Sequence, residues 1–123
     1  MHAATFVDMS LQPCPKSPNC VSTQADPDDS GHYMKPHPHS SDIAAALDAI
    51  EAAIASAGGE VTGRDDASID AVFTSGLLRF KDDVRFEVDP GLIHFRSASR
   101  TGHSDLGANR KRMESLVSSL AAL

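Results

Sequence analysis

The 123-residue chain has no tryptophan and one tyrosine, and only 5% of its residues are aromatic. Aliphatic side chains and alanines must therefore do most of the filling of any core, within a hydrophobic fraction of 41%. Basic residues are in deficit: the formal charge is −6, which argues against nucleic acid or an anionic membrane surface as a partner. No apolar run reaches the ~20 residues that span a bilayer. The opening MHAATFVDMS lacks a charged segment followed by an apolar one, so no secretory signal is expected. This points to a cytoplasmic protein, or to an envelope protein whose signal has been trimmed. Cysteine is scarce too. Cys14 and Cys20 in CPKSPNC are too widely spaced for a thioredoxin-like C-x-x-C motif, and two cysteines alone rarely make a zinc site. They form a disulfide across a small Pro-rich loop in an oxidising compartment, or remain two thiols in a reducing one.

What is present suggests one domain and an arm. Six of the seven prolines fall between Pro13 and Pro38, mixed with Asp26, Asp28, Asp29, Ser30 and Gly31, so residues 1–39 read as an irregular arm. Residues 40–123 read as a single α+β domain. Ile43, Ala46, Leu47, Ile50, Ala53, Ile54 and Ala57 make a helical stripe, with Ser40 or Ser41 as its cap, Asp42 at its positive start and Gly58-Gly59 as its stop. Val61 opens a short strand, Asp65-Asp66 turns the chain, and Ile69, Ala71 and Phe73 alternate in a second strand. Gly76 breaks the pattern before Leu77, Leu78 and Phe80, as a bulge or bend would.

The clearest local feature is a hairpin. With Pro90-Gly91 as a two-residue loop, Val88 faces Ile93 and Phe86 faces Phe95 on the buried side. Glu87 then faces His94, and Arg85 faces Arg96, on the other. A last helix from about Asp105 carries Met113, Leu116, Val117 and Leu120. The expected fold is a two-layer sandwich, with an antiparallel sheet of about four strands and two helices on one face.

Charge is unevenly spread. Residues 1–70 hold three basic residues against eleven acidic ones, whereas residues 71–123 hold eight against six. The basic pole is RSASRTGHSDLGANRKR, residues 96–112. As a loop feeding a helix, it would aim free backbone N–H groups at a small anion, with Arg96, Ser99, Arg100, Asn109 and Arg110 as ligand-binding candidates. Gly102 and Gly107 would permit close backbone approach, and Ser104 or Asp105 would cap the helix. The competing structural reading has Arg100 paired with Asp82 or Asp83 or bonded to loop carbonyls, while Asn109 stabilises the turn. The facing Arg85 and Arg96 repel unless Glu87, Asp83 or a ligand anion intervenes.

Other chemistry has less behind it. Ser97, Ser99 or Ser104 with His103 or His94 and Asp105 supply the residue types of a hydrolytic triad, without a G-x-S-x-G elbow. His32, His37 and His39, joined by a thiolate from Cys14 or Cys20, would be weak zinc ligands, and no metal site is assigned. Asp28-Asp29 and Asp65-Asp66 sit where carboxylates solvate turns. No cofactor is implied.

Three blocks, CPKSPNCVS at 14–22, FKDDVRFEVD at 80–89 and SASRTGHSDLGANRKRME at 97–114, resemble the signature blocks of the domain-of-unknown-function family numbered 1499. The resemblance covers about residues 14–120 and implies a single compact domain. Related chains often look like envelope, lipoprotein-type or plastid proteins. The leading expectation is a small non-enzymatic binding or accessory domain with an anion site. The alternatives are a small hydrolase near residues 94–105 or an interaction module that assembles through its sheet face.

Overall fold

The structure is a computed structural model and describes residues 10–75, 79–101 and 107–123. Its elements are β1 (Cys20–Ser22), β2 (His37–Pro38), α1 (Ile43–Ser56), β3 (Glu60–Arg64), β4 (Ser68–Ser75), β5 (Phe80–Asp89), β6 (Leu92–Ser99) and α2 (Ala108–Ser118). The strands form one antiparallel sheet in the order β1-β6-β5-β4-β3, with β2 also paired to β6. The α+β class is as expected, but the sheet has six strands rather than about four. Both additions come from the arm expected to be irregular. Strands of three and two residues are too short for alternation to show; they form because β6 offers an unpaired edge. Pro38 is tolerated there because an edge strand can spare an N–H.

The β5–β6 hairpin has the expected register: Val88 pairs with Ile93, Phe86 with Phe95, Glu87 with His94 and Arg85 with Arg96. Gly91 has φ 91°, the left-handed conformation required at the second position of a type II turn after proline. On the far edge, β3 breaks register between Val61 and Gly63, a bulge that discourages further pairing. Gly76, Leu77 and Leu78, where a bend was expected, lie outside the described residues.

One face of the sheet makes the core. Ile69, Ala71 and Phe73 of β4, Val84, Phe86 and Val88 of β5, and Ile93 and Phe95 of β6 pack against Leu47, Ile50 and Ile54 of α1 and Met113 and Leu116 of α2. Phe86 and Phe95 meet at 6.0 Å between ring centroids. Side chains of this size, wholly buried, each contribute roughly 1.5–3 kcal/mol from apolar burial.

Two helix starts differ from expectation. Asp42, rather than a serine, caps α1: its side chain accepts from the Ala45 N–H at 2.7 Å. Helix α2 begins at Ala108 behind Gly107, whose φ is 82° and which supplies no side-chain cap. Ser104 and Asp105, the expected caps, lie outside the described residues, as do Gly102 and His103.

Candidate functional site

The basic stretch divides between the two faces of the sheet. On the core face, Asn109 is buried where α2 meets the ends of β5 and β6. Its Oδ1 accepts from Ser97 Oγ and from Arg112 Nη1, and its Nδ2 donates to Ser99 Oγ at 2.9 Å and to the Asn19 carbonyl at 3.1 Å. Asn19, buried beside β1, donates to the Thr101 carbonyl and accepts the Ser99 N–H. Asp82 is buried here as well and pairs with Arg112 at 2.8 Å, while the Arg112 guanidinium lies 4.8 Å from the centroid of Phe73. This cluster ties the arm, the hairpin and α2 together. Sequence reasoning missed Arg112 and Asn19. Arg112 was legible in principle, because residues 109, 112, 113 and 116 share one helical stripe.

Arg100, in the loop, and Arg110, in α2, are engaged by protein acceptors. Arg100 donates through Nε and Nη2 to the two oxygens of Asp83, at 2.9 Å each. That contact holds the Arg100 guanidinium above its ordinary value. Arg110 donates to the carbonyls of Ser30 and Gly31. Of the five anion candidates, Ser99, Asn109, Arg100 and Arg110 thus have structural partners, and the structure does not gather them around one space.

Arg96 differs. It lies on the second face of the sheet, opposite Arg85, as the register required. Arg85 is relieved by Glu87 at 2.9 Å and Asp70 at 2.7 Å, and the first of these contributes most to raising its pKa. No carboxylate pairs with Arg96 among the described residues. Its Nη2 donates to the Pro13 carbonyl at 3.2 Å, and its Nε is buried without an acceptor among the described residues. Burial pushes its guanidinium below the ordinary value, and the field of Asp83 opposes this only in part.

Arg96 faces a cleft of about 430 Å³ lined by Gln12, Thr62, Gly63, Asp70, Asp83 and Arg85 among others. Its outer wall is the arm, which returns across the sheet as a strap. Ser10 donates to Glu87, Leu11 is buried outside the main core, and the Leu11 N–H donates to Gln24 Oε1 at 2.8 Å. The strap ends at Cys14, bonded to Cys20 in β1. Of the two redox states left open by the sequence, the structure has the disulfide.

The histidines serve the fold. His32 Nδ1 lies 2.7 Å from Asp29 Oδ2 and its Nε2 lies 2.8 Å from the Ser17 carbonyl. Both neighbours are acceptors, so the ring's pKa is raised, first by the Ser17 carbonyl and then by Asp29. His37 meets the Leu120 carbonyl, and His39 meets the Asp89 carbonyl and Ser41. Among the described residues no three His, Cys, Asp or Glu side chains gather as a metal site.

The hydrolytic grouping does not assemble either, within the described residues. Ser97 and Ser99 point to Asn109 on the core face, whereas His94 lies on the other face with its Nδ1 2.9 Å from Thr23 Oγ1. That hydroxyl also accepts the Phe95 N–H at 3.1 Å, which makes it a pin between β1 and β6. Nor do the described residues make the second face a flat apolar surface for assembly. Among them the exposed large apolar side chains are Phe80 and Leu92, at opposite ends of the hairpin.

No helix among the described residues is long and apolar enough to cross a membrane. In comparison with known proteins, the sequence model of a family described as "Protein of unknown function (DUF1499)" matches residues 10–120. No curated protein and no solved structure matches the chain.

Proposed function

The chain belongs to the DUF1499 family of proteins of unknown function, and on that premise we propose that it is a non-enzymatic binding domain for a small oxyanion. The ligand sits in the cleft on the second sheet face, with its negative group on Arg96. One observation carries this reading: Arg96 is half-buried, yet among the described residues it meets a lone carbonyl where Arg85 and Arg100 meet carboxylates. A desolvated guanidinium with an unused donor favours an anion, because charge-assisted hydrogen bonds are strongest where water is excluded. The cleft volume falls within the ~300–1,000 Å³ of small-molecule sites. Its lining offsets Arg85 and Arg96 with Asp70 and Asp83, so it suits a ligand of low charge better than a polyanion.

Calorimetric titration of the full chain with acetate, succinate and inorganic phosphate tests this. The expected result is binding of at least one probe that weakens by about 10–100-fold in Arg96→Gln, the scale of a hydrogen bond to a charged group. Arg110→Gln, whose guanidinium meets the Ser30 and Gly31 carbonyls and does not line the cleft, should bind as the unaltered chain does. Equal binding by Arg96→Gln, or no binding by any form, overturns the proposal.

The disulfide also bears on location. We infer an oxidising compartment rather than the cytoplasm, because a structural disulfide persists where thiols are not kept reduced. Trapping free thiols in cells before lysis checks this: a predominantly reduced pair contradicts it.

A further inference from the structure

A guanidinium edge presents Nε–H and one Nη2–H as two parallel donors, a fork that matches the two oxygens of a carboxylate. Arg100 and Arg96 show that edge in two conditions. On Arg100 it is filled by both oxygens of Asp83. On Arg96 the Pro13 carbonyl takes Nη2 alone, and Nε is buried with nothing to bond among the described residues. The strap therefore closes the edge without satisfying it. A closure that leaves a buried donor unmade is unfavourable in itself and must be held from elsewhere.

Among the described residues the holding contacts are few, and Ser10, just before the cap, donates to Glu87. Leu11 is buried and its N–H is anchored on Gln24, and Cys14 is bonded to Cys20. Cys20 lies in β1, two residues from Ser22, which pairs directly with Arg96. The covalent tether thus fixes the strap to the strand flanking Arg96. Space lies on both sides of the strap: the cleft of about 430 Å³ that Gln12 helps to line, and a second of about 300 Å³ lined by Leu11, Pro13, Cys14, Gln24 and His32 among others. Leu11 stands outside the main core, so the strap can lift without repacking the helices.

We propose that residues 11–14 are a redox-tethered cap on Arg96, held shut by the Cys14–Cys20 disulfide and released when it is reduced. Release frees the Nε and Nη2 donors together; that a ligand oxyanion then takes both rests on the binding function proposed above. The reductant is a dithiol. Cys20 is buried and Cys14 is partly exposed, so a thiolate of the dithiol attacks the Cys14 sulfur, with Cys20 as the leaving thiolate. The second thiol of the reductant resolves the mixed disulfide. Two electrons and two protons pass to the protein, which ends with two thiols, and the reductant ends as a disulfide.

Phenylglyoxal, an arginine-selective reagent, reads the cap without any ligand. The full chain is treated before and after reduction with dithiothreitol, its thiols are alkylated to hold the reduced state, and adducts are followed at each arginine by peptide mass spectrometry. Adduct formation at Arg96 should accelerate about 50-fold on reduction, the scale of a cross-link's constraint on a short loop. Arg112, enclosed by Asp82, Asn109 and Phe73, should keep its rate. An unchanged rate at Arg96 overturns the cap. So does equal acceleration at Arg112, which reports global unfolding instead of strap release. Acetate and phosphate titrations of both redox forms separate the two proposals: if Arg96 accelerates while neither probe binds either form, the cap stands and the oxyanion function falls.

Discussion

The two faces of this sheet are stabilised in different ways. The helix-covered face is apolar, and where polar groups enter it, at Asp82, Ser97, Asn109 and Arg112, their hydrogen bonds are met inside the protein. The opposite face is polar, covered by a short strap and a disulfide, and contains Arg96 with a donor left over among the described residues. Neighbouring residues in one strand belong to these two regimes. Phe86 lies at the centre of the core, while Arg85 sits in a half-exposed ion-pair network. The first face accounts for the fold, and the second is where a ligand has something to gain.

Several substitutions would break this contrast if it is wrongly drawn. Phe86→Ala leaves a large cavity against Phe95 and should cost about 3–5 kcal/mol in denaturant unfolding. Asn109→Ala strands the buried Ser97 and Asn19 and the partly buried Ser99, and about 1–3 kcal/mol is expected in the same measurement. Arg85→Ala, on the other face, should cost less than about 1 kcal/mol, because half-exposed ion pairs contribute little. A cost for Arg85→Ala that matched Phe86→Ala would show that the polar face is as structural as the core.

A smaller effect is expected from pH. The His32 imidazolium bridges Asp29 and the Ser17 carbonyl, with the Arg110 guanidinium opposing its charge, and its pKa is raised while that of Asp29 is lowered. The His32 contribution is therefore complete below its unfolded value of about 6.5 and disappears as pH rises through the higher folded value. The Asp29 contribution is present above about 3.8 and is lost as pH falls through its lower folded value. Amide exchange within residues 15–20, corrected for intrinsic rates, should be slowest between these limits and faster at alkaline pH. Flat protection across neutral to alkaline pH would mean that His32 does not secure the disulfide loop.

The sequence made the core face legible because its signals are periodic. The stripe from Ile43 to Ile54 and the alternation through Val84, Phe86 and Val88 each match one geometry, and a one-residue slip in the hairpin would have exposed Phe86 and Phe95. The arm was illegible for the opposite reason: β1 and β2 depend on a distant edge of β6, and no local pattern announces that pairing. The site was partly legible. The Arg85–Arg96 pairing followed from the Pro90-Gly91 turn, and Arg96 stood among the anion candidates. The loop arginines misled because composition groups Arg96, Arg100, Arg110 and Arg112 in one stretch, whereas the parity of β6 and the start of α2 send them to different partners. That Pro13, more than eighty positions upstream, lies on Arg96 could not be read from spacing.

The central claim is that Arg96, and not Arg100, receives a ligand oxyanion. The most direct measurement is the arginine Nε–Hε correlation by NMR, with phosphate or acetate added to the oxidised and the reduced protein. The Arg96 Hε signal should move on addition, more in the reduced form, while the Arg100 signal, already held by Asp83, stays in place. Movement at Arg100 with Arg96 unchanged, or no movement at Arg96 in either form, would contradict it.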